Sequence, residues 1–154
     1  MDLQVVVFQV ADEHYAVDIS GVREILRLPE ITRVPHSPAF VEGVINPRGT
    51  VIPMIDLHKR FGIEQRDSTN DTRVMVLNVS DSLVGAIVDS VSEVLTFTEE
   101  QIEPVDRLSV TISAEYITGV AKLEDRLVIL LDYEKVLGAE ERVEVDSMLA
   151  GVAG

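Results

Sequence analysis

Short apolar runs separated by polar turn residues fill the chain, and few of them are long enough to make a helix. Val5–Val10 (VVVFQV) and Val74–Val79 (VMVLNV) are β-branched runs of strand length. Ala11-Asp12-Glu13-His14 and Ser80-Asp81-Ser82 supply turns into HYAVDI and LVGAIV, so each run opens a hairpin. Val22-Arg23-Glu24-Ile25-Leu26 and Val91-Ser92-Glu93-Val94-Leu95 place apolar residues at i, i+3 and i+4. That spacing fits a helical turn and, at this length, a strand as well. Ser37-Pro38 pairs an N-cap residue with Pro at the first helical position, predicting a short helical turn through Phe40. Next come GVI, the turn Asn46-Pro47-Arg48-Gly49 with type I residue preferences, and VIPMIDL. Pro53 inside that last run predicts an edge strand or a bulge. LHKRFG and YEKVLG each predict a single helical turn ending at glycine, Gly62 and Gly138.

The pattern is written twice. Shifted by 69 positions, Val5–Pro35 falls on Val74–Pro104 without a gap, and 9 of those 31 positions are identical. Among the identities, Glu24 lies on Glu93 and Val22 on Val91. At an offset of 76, Phe40–Gly62 falls on Tyr116–Gly138, with Gly43, Val44, Asp56, Lys59 and Gly62 matched. Two blocks in the same order, each spanning a turn, indicate duplication. The expected organisation is all-β: one subdomain over 1–62, a polar linker over 63–73, a second subdomain over 74–138, and a tail over 139–154. The tail is acidic, then small and apolar, and allows a short helix. Each copy holds roughly five short strands, and sheets that small hide their edges by curling into a barrel. A barrel of about 60 residues is marginal alone, so the two copies are expected to share a buried face. Whether the first strand pairs within its own copy or crosses to the other barrel is left open by the sequence.

The 154-residue length suits this organisation and permits a core without staples. There is no Cys, which excludes disulfides, thiolate nucleophiles and Cys-ligated zinc. No basic leader and no apolar run of bilayer length occurs, so the expected location is the cytoplasm, without direct membrane insertion. The net charge of −14 opposes nucleic-acid binding and docking on anionic lipid. That charge is uneven: residues 1–62 carry a net −2 and residues 63–154 a net −12, as if two faces served different company.

Chemistry is scarce. His14, His36 and His58 form no metal-ligand spacing and read as surface histidines without a role. No phosphate-binding glycine loop and no nucleophile elbow is present. Asp56 and its repeat counterpart Asp132 stand at strand ends, with Asp89 in a similar apolar setting. Their matched places fit turn or cap hydrogen bonds better than acid–base work. No catalytic residue, no metal site and no cofactor is expected, and the chain does not read as an enzyme. What remains is surface for partners. Val22, Ile25, Val91 and Val94 either fill the two cores or line a groove between the barrels, suited to an amphipathic helix. Arg48, on a rigid turn tip, either offers a guanidinium fork to a carboxylate or is plain solvated charge; its repeat counterpart is Glu124.

Four segments carry a further likeness: YAVDISGVREI, VPHSPAFVEGVINPRGTVIPMIDL, VGAIVDSVSEVL and YITGVAKLEDRLVILLD. With them the chain, from Phe8 to Gly138, resembles the CheW family of chemotaxis coupling proteins. One departure is Asn-Pro-Arg-Gly where the family usually has Asn-Leu-Arg-Gly, and Pro at that turn position stiffens the same geometry. The resemblance implies two packed five-stranded SH3-like barrels with short helical turns and no catalysis. It implies an adaptor that bridges the cytoplasmic tip of methyl-accepting chemotaxis receptors to the regulatory domain of the histidine kinase CheA, and so is recruited to membrane-bound receptor arrays. By motif, Val22, Glu24, Arg48, Val91 and Val94 look like receptor-facing positions, with Gly43 and Gly49 as backbone-critical neighbours. Thr72 and Arg73 look like kinase-side positions. The alternatives are a coupling protein of another chemosensory pathway, such as surface motility, and a small-molecule carrier or enzyme using the cleft between barrels. Ending at Gly154, the chain is expected to lack an attached kinase or receiver domain.

Overall fold

The computed structural model describes residues 2–35, 41–64, 67–104, 114–124 and 126–136. The elements run β1 Leu3–Val10, β2 Glu13–Asp18, β3 Val22–Arg27, β4 Val41–Ile45, β5 Ile52–Asp56 and α1 Leu57–Phe61. The second copy repeats them as β6 Arg73–Val79, β7 Ser82–Val88, β8 Ser90–Phe97, β9 Ile102–Glu103, β10 Ile117–Leu123, β11 Arg126–Leu131 and α2 Tyr133–Val136. VREIL and VSEVL, which fitted a helical turn or a strand, are strands: each pairs antiparallel with a Val-rich neighbour, β6 or β1. The expected helical turn through Phe40 and the tail over 139–154 lie outside the described residues. The linker ends one residue early, because β6 begins at Arg73.

Two sheets form, ordered β8-β1-β2-β11-β10-β9 and β3-β6-β7-β5-β4. The assignment of one barrel to 1–62 and the other to 74–138 is therefore corrected. Each copy's first hairpin joins the last strands of the other copy, through the parallel pairs β2–β11 and β5–β7. The physical reason is that both hairpins carry the same alternation, so either one satisfies either set of later strands. Both sheets close. Thr32 bridges to Val44 through N–H···O bonds of 2.9 and 2.8 Å, which ties the chain after β3 to β4. β9 continues β8 past the turn Glu99–Gln101 and pairs with β10. The duplication extends to the irregularities: bulges interrupt β3 and β8 pairing at the Val22/Glu24 and Val91/Glu93 steps, and β4 and β10 pairing at Val41/Gly43 and Ile117/Gly119.

Alternation sorts the buried residues into three cores. Val5 and Val7 point with Ala16, Val128 and Leu130 into one barrel. Val74 and Val76 point with Ile45, Ile52 and Met54 into the other. The opposite faces of the same strands, Val6, Phe8 and Val10 on β1 and Met75, Leu77 and Val79 on β6, meet in a shared core between the barrels. Burial on both faces explains why these runs read as unbroken apolar sequence rather than alternating. Phe8, Tyr15, Phe61 and Tyr116 cross the shared core as a line of rings with centroids 6.0, 5.3 and 6.4 Å apart.

Pro53, expected at an edge or bulge, lies in β5, which is flanked by β4 and β7. It is tolerated because Val44, opposite it on β4, spends its N–H and C=O on Thr32, and the β7 ladder begins only at Met54.

Phe8→Ala is expected to cost about 3–5 kcal/mol in urea unfolding while leaving a single transition, because the core it empties belongs to both barrels. A chain cut to residues 1–73 should give no cooperative melt by circular dichroism; a folded fragment would contradict the hairpin exchange.

Candidate functional site

On β3 the bulge turns successive side chains to different faces. Val22 lies opposite Leu77 and Ile25 opposite Met75, both on the side of the shared core, while Glu24 lies opposite Val76 and Leu26 opposite Val74 on the inner face of their own barrel. β8 repeats this, with Val91 opposite Phe8, Val94 opposite Val6, and Glu93 opposite Val7. Val22 and Val91 are half-buried against the shared core. Ile25 and Val94, further along, emerge at 41% and 50% exposure. Core filling therefore fails to account for Ile25 and Val94, and accounts for Val22 and Val91 only in part. Each barrel thus presents an apolar rim beside the common core, Val22/Ile25 on one and Val91/Val94 on the other.

Arg48 reaches from the turn between β4 and β5 to Glu24. The guanidinium is 65% exposed, so the pair contributes only about 0–1 kcal/mol to stability. Its fork stays available to a partner. The second barrel carries a matching pair that the sequence reasoning missed, Arg126 on Glu93. The signal for it was the identity of Glu93 with Glu24; the arginine comes two places away from Arg48's repeat counterpart Glu124. Arg126 also approaches His14 Nε2 at 3.1 Å.

The polar strand ends behave as expected. Asp56 caps α1 by accepting from the His58 N–H at 2.9 Å, and Asp132 Oδ1 accepts from the Glu134 and Lys135 N–H groups. His58, however, is not a surface histidine. It is buried with its ring between Asp56 and Asp89, because the first helical turn points its side chain inward toward the β7–β8 crossing. Thr72 is buried and accepts from the Thr69 N–H at 2.8 Å, which shapes the linker turn, and Arg73 donates to the Asn70 and Thr72 carbonyls. Tyr133 packs over Gly21, where an added Cβ would come within 2.3 Å of its ring, one residue before Val22. Burial, then the charges of Glu134, Asp18 and Asp132, push the Tyr133 hydroxyl above the usual tyrosine range. Among the described residues no group of three or more histidines and carboxylates gathers to hold a metal ion, and no helix is long and apolar enough to cross a membrane.

A family model described as a CheW-like domain matches residues 4–141. The chain is 41% identical over 142 residues to the chemotaxis protein CheW of Klebsiella aerogenes, covering 92% of this chain and 86% of that one. It is 36% identical over 140 residues to the probable chemotaxis protein CheW of Rhizobium etli, covering 91% and 90%. Among solved structures, the scaffolding protein TtCheW from Thermoanaerobacter tengcongensis superposes with a TM-score of 0.82 at 38% identity over 90% of each chain.

Gly43 has φ +148° and a Cβ there would sit 2.2 Å from the Thr32 carbonyl oxygen, whereas Gly49, at φ +83°, has nothing within 4 Å. Gly43→Ala should therefore destabilise by roughly 2–4 kcal/mol and Gly49→Ala by about 1–2 kcal/mol in urea unfolding; equal losses would show that strain alone matters. In a spectrophotometric titration Tyr133 should ionise later than a free tyrosine, and Tyr133→Phe should remove that late phase. Its contribution to stability is full below the ordinary tyrosine pKa of about 10 and is lost as the pH rises through the folded-state value.

Proposed function

This chain belongs to the CheW family, and we propose that it couples two partners through the rims just described: the cytoplasmic tip of methyl-accepting receptors and the regulatory domain of the kinase CheA. It is a chemotaxis scaffold rather than an enzyme, so its chemistry is docking. The observation that carries the proposal is the pair of exposed apolar positions, Ile25 and Val94, on strands bordering one shared core, with the exposed Arg48 fork beside the first. Apolar anchors three to four residues apart on an amphipathic helix fit such a rim, and the receptor-facing set of Val22, Glu24, Arg48, Val91 and Val94 supplies it. Gly43 and Gly49 hold the backbone that presents Arg48. A transient contact of this class buries roughly 800 Å² on each partner, which a chain of 154 residues can offer twice.

The kinase side is proposed at Thr72 and Arg73. Thr72 is too buried to make much contact itself and acts by closing the turn that sets Arg73. On this reading the protein acts in the cytoplasm, recruited to membrane-bound receptor arrays.

Glu24→Lys reverses the charge under Arg48 and should weaken binding to a receptor-tip fragment by about tenfold or more. Its melting temperature and its binding to the kinase regulatory domain should stay close to wild type. Equal loss of both partners together with a lower melting temperature would refute the assignment of Glu24 to the receptor face. Arg48→Ala should likewise spare the fold.

A further inference from the structure

The rim strands begin at two chain crossings, and at one of them, among the described residues, a polar chain runs between the barrels. Asp89 stands between β7 of one barrel and β8 of the other. Its N–H donates to the Gln9 carbonyl at 2.9 Å, and its Oδ2 accepts from the Ala11 N–H at 2.7 Å in the β1–β2 turn. That turn needs a partner, because Ala11 is held at φ +53°. The same Oδ2 lies 3.0 Å from His58 Nε2, and His58 Nδ1 lies 2.9 Å from Asp56 Oδ1. A continuous chain thus runs from Asp56 on β5, through His58 and Asp89, to Ala11 in the other barrel. The one side chain between the two carboxylates, His58, turns a ring nitrogen toward each of them. Beside it lies a cavity of about 150 Å³ lined by Leu28, Ile31, Glu42, Asp67 and Thr72 among others, with Glu42 engaged by Lys59. In the duplicate half the clasp is missing: the repeat counterpart of His58 is the exposed Glu134, and that of Asp89 is Ser20.

We propose that His58 is a positioning residue for docking: through Asp89 it fixes where β8 starts, and with it the set of Val91 and Val94. Val91 follows Asp89 by two residues, so a shift of the crossing passes directly into the rim. The proposal rests on the docking reading of that rim.

The test compares full-length wild type with His58→Phe, His58→Arg and Asp89→Leu, and with Glu134→Gln as a control. Binding to a receptor-tip fragment and amide hydrogen exchange at Ala11 are both measured. Phenylalanine keeps a ring but donates nothing and leucine removes the acceptor, whereas a guanidinium donates in both directions. His58→Phe and Asp89→Leu should speed exchange at Ala11 and weaken tip binding about tenfold. His58→Arg should restore both, and Glu134→Gln should change neither. If His58→Phe fails to fold, Asp89→Leu carries the same expectation. The proposal is overturned if His58→Phe and Asp89→Leu bind like wild type, or if His58→Arg binds as weakly as His58→Phe. A wild type that ignores the tip overturns the docking reading instead, and Ala11 exchange that still follows donor capacity then upholds the clasp.

Discussion

Val6, Phe8 and Val10 of one hairpin and Met75, Leu77 and Val79 of the other meet in a single apolar core, and the remaining architecture depends on that meeting. Each of these strands is buried on both faces, one toward its own barrel and one toward the common core. Fully burying a side chain of this size is worth about 1.5–3 kcal/mol, so six of them outweigh any surface ion pair on the molecule. Because each hairpin completes the sheet begun by the other copy, neither barrel can be taken away without opening the other. Two sheets too small to be secure alone become one cooperative body.

The same arrangement shapes the rims proposed for docking. Among the described residues β3 and β8 each pair with one neighbour along their length, and Ile25 and Val94 on them are exposed. The duplicated bulges then aim Val22 and Val91 at the common core and Glu24 and Glu93 at the barrel mouths. Apolar and ionic recognition elements come to lie side by side, with a rigid strand under each. The Glu–Arg pairs contribute little to stability. Breaking them would cost the fold little, which fits the docking role proposed for them.

Duplication gave two similar halves, and divergence set their details apart. Asp56 and Asp132 still cap equivalent helices. Around them, His58 has become a buried bridge while Glu134 faces solvent, and the crossing into β3 is covered by Tyr133 instead of a polar chain. The charge difference between the halves runs the same way, with most of the net −14 in the second.

Turn chemistry, β-branched runs and the repeat are local properties, and from them the sequence alone determined an all-β chain of two equivalent units, most strand positions, the helix caps at Asp56 and Asp132, and the exposed fork at Arg48. The likeness of four segments to the CheW family supplied the set proposed to face the receptor, and with it the weight on Glu24. Tertiary structure decided the rest. Two hairpins with the same alternation fit either copy's later strands equally well by pattern, so their exchange was settled only by closing both barrels over one core. Ile25 and Val94 share their apolar character with buried neighbours, and only the fold shows that they face solvent. His58 looked idle because Asp89, the partner that defines it, is 31 residues away and arrives only when the chain crosses between barrels. A hydrogen bond across that separation leaves no periodic trace in the sequence.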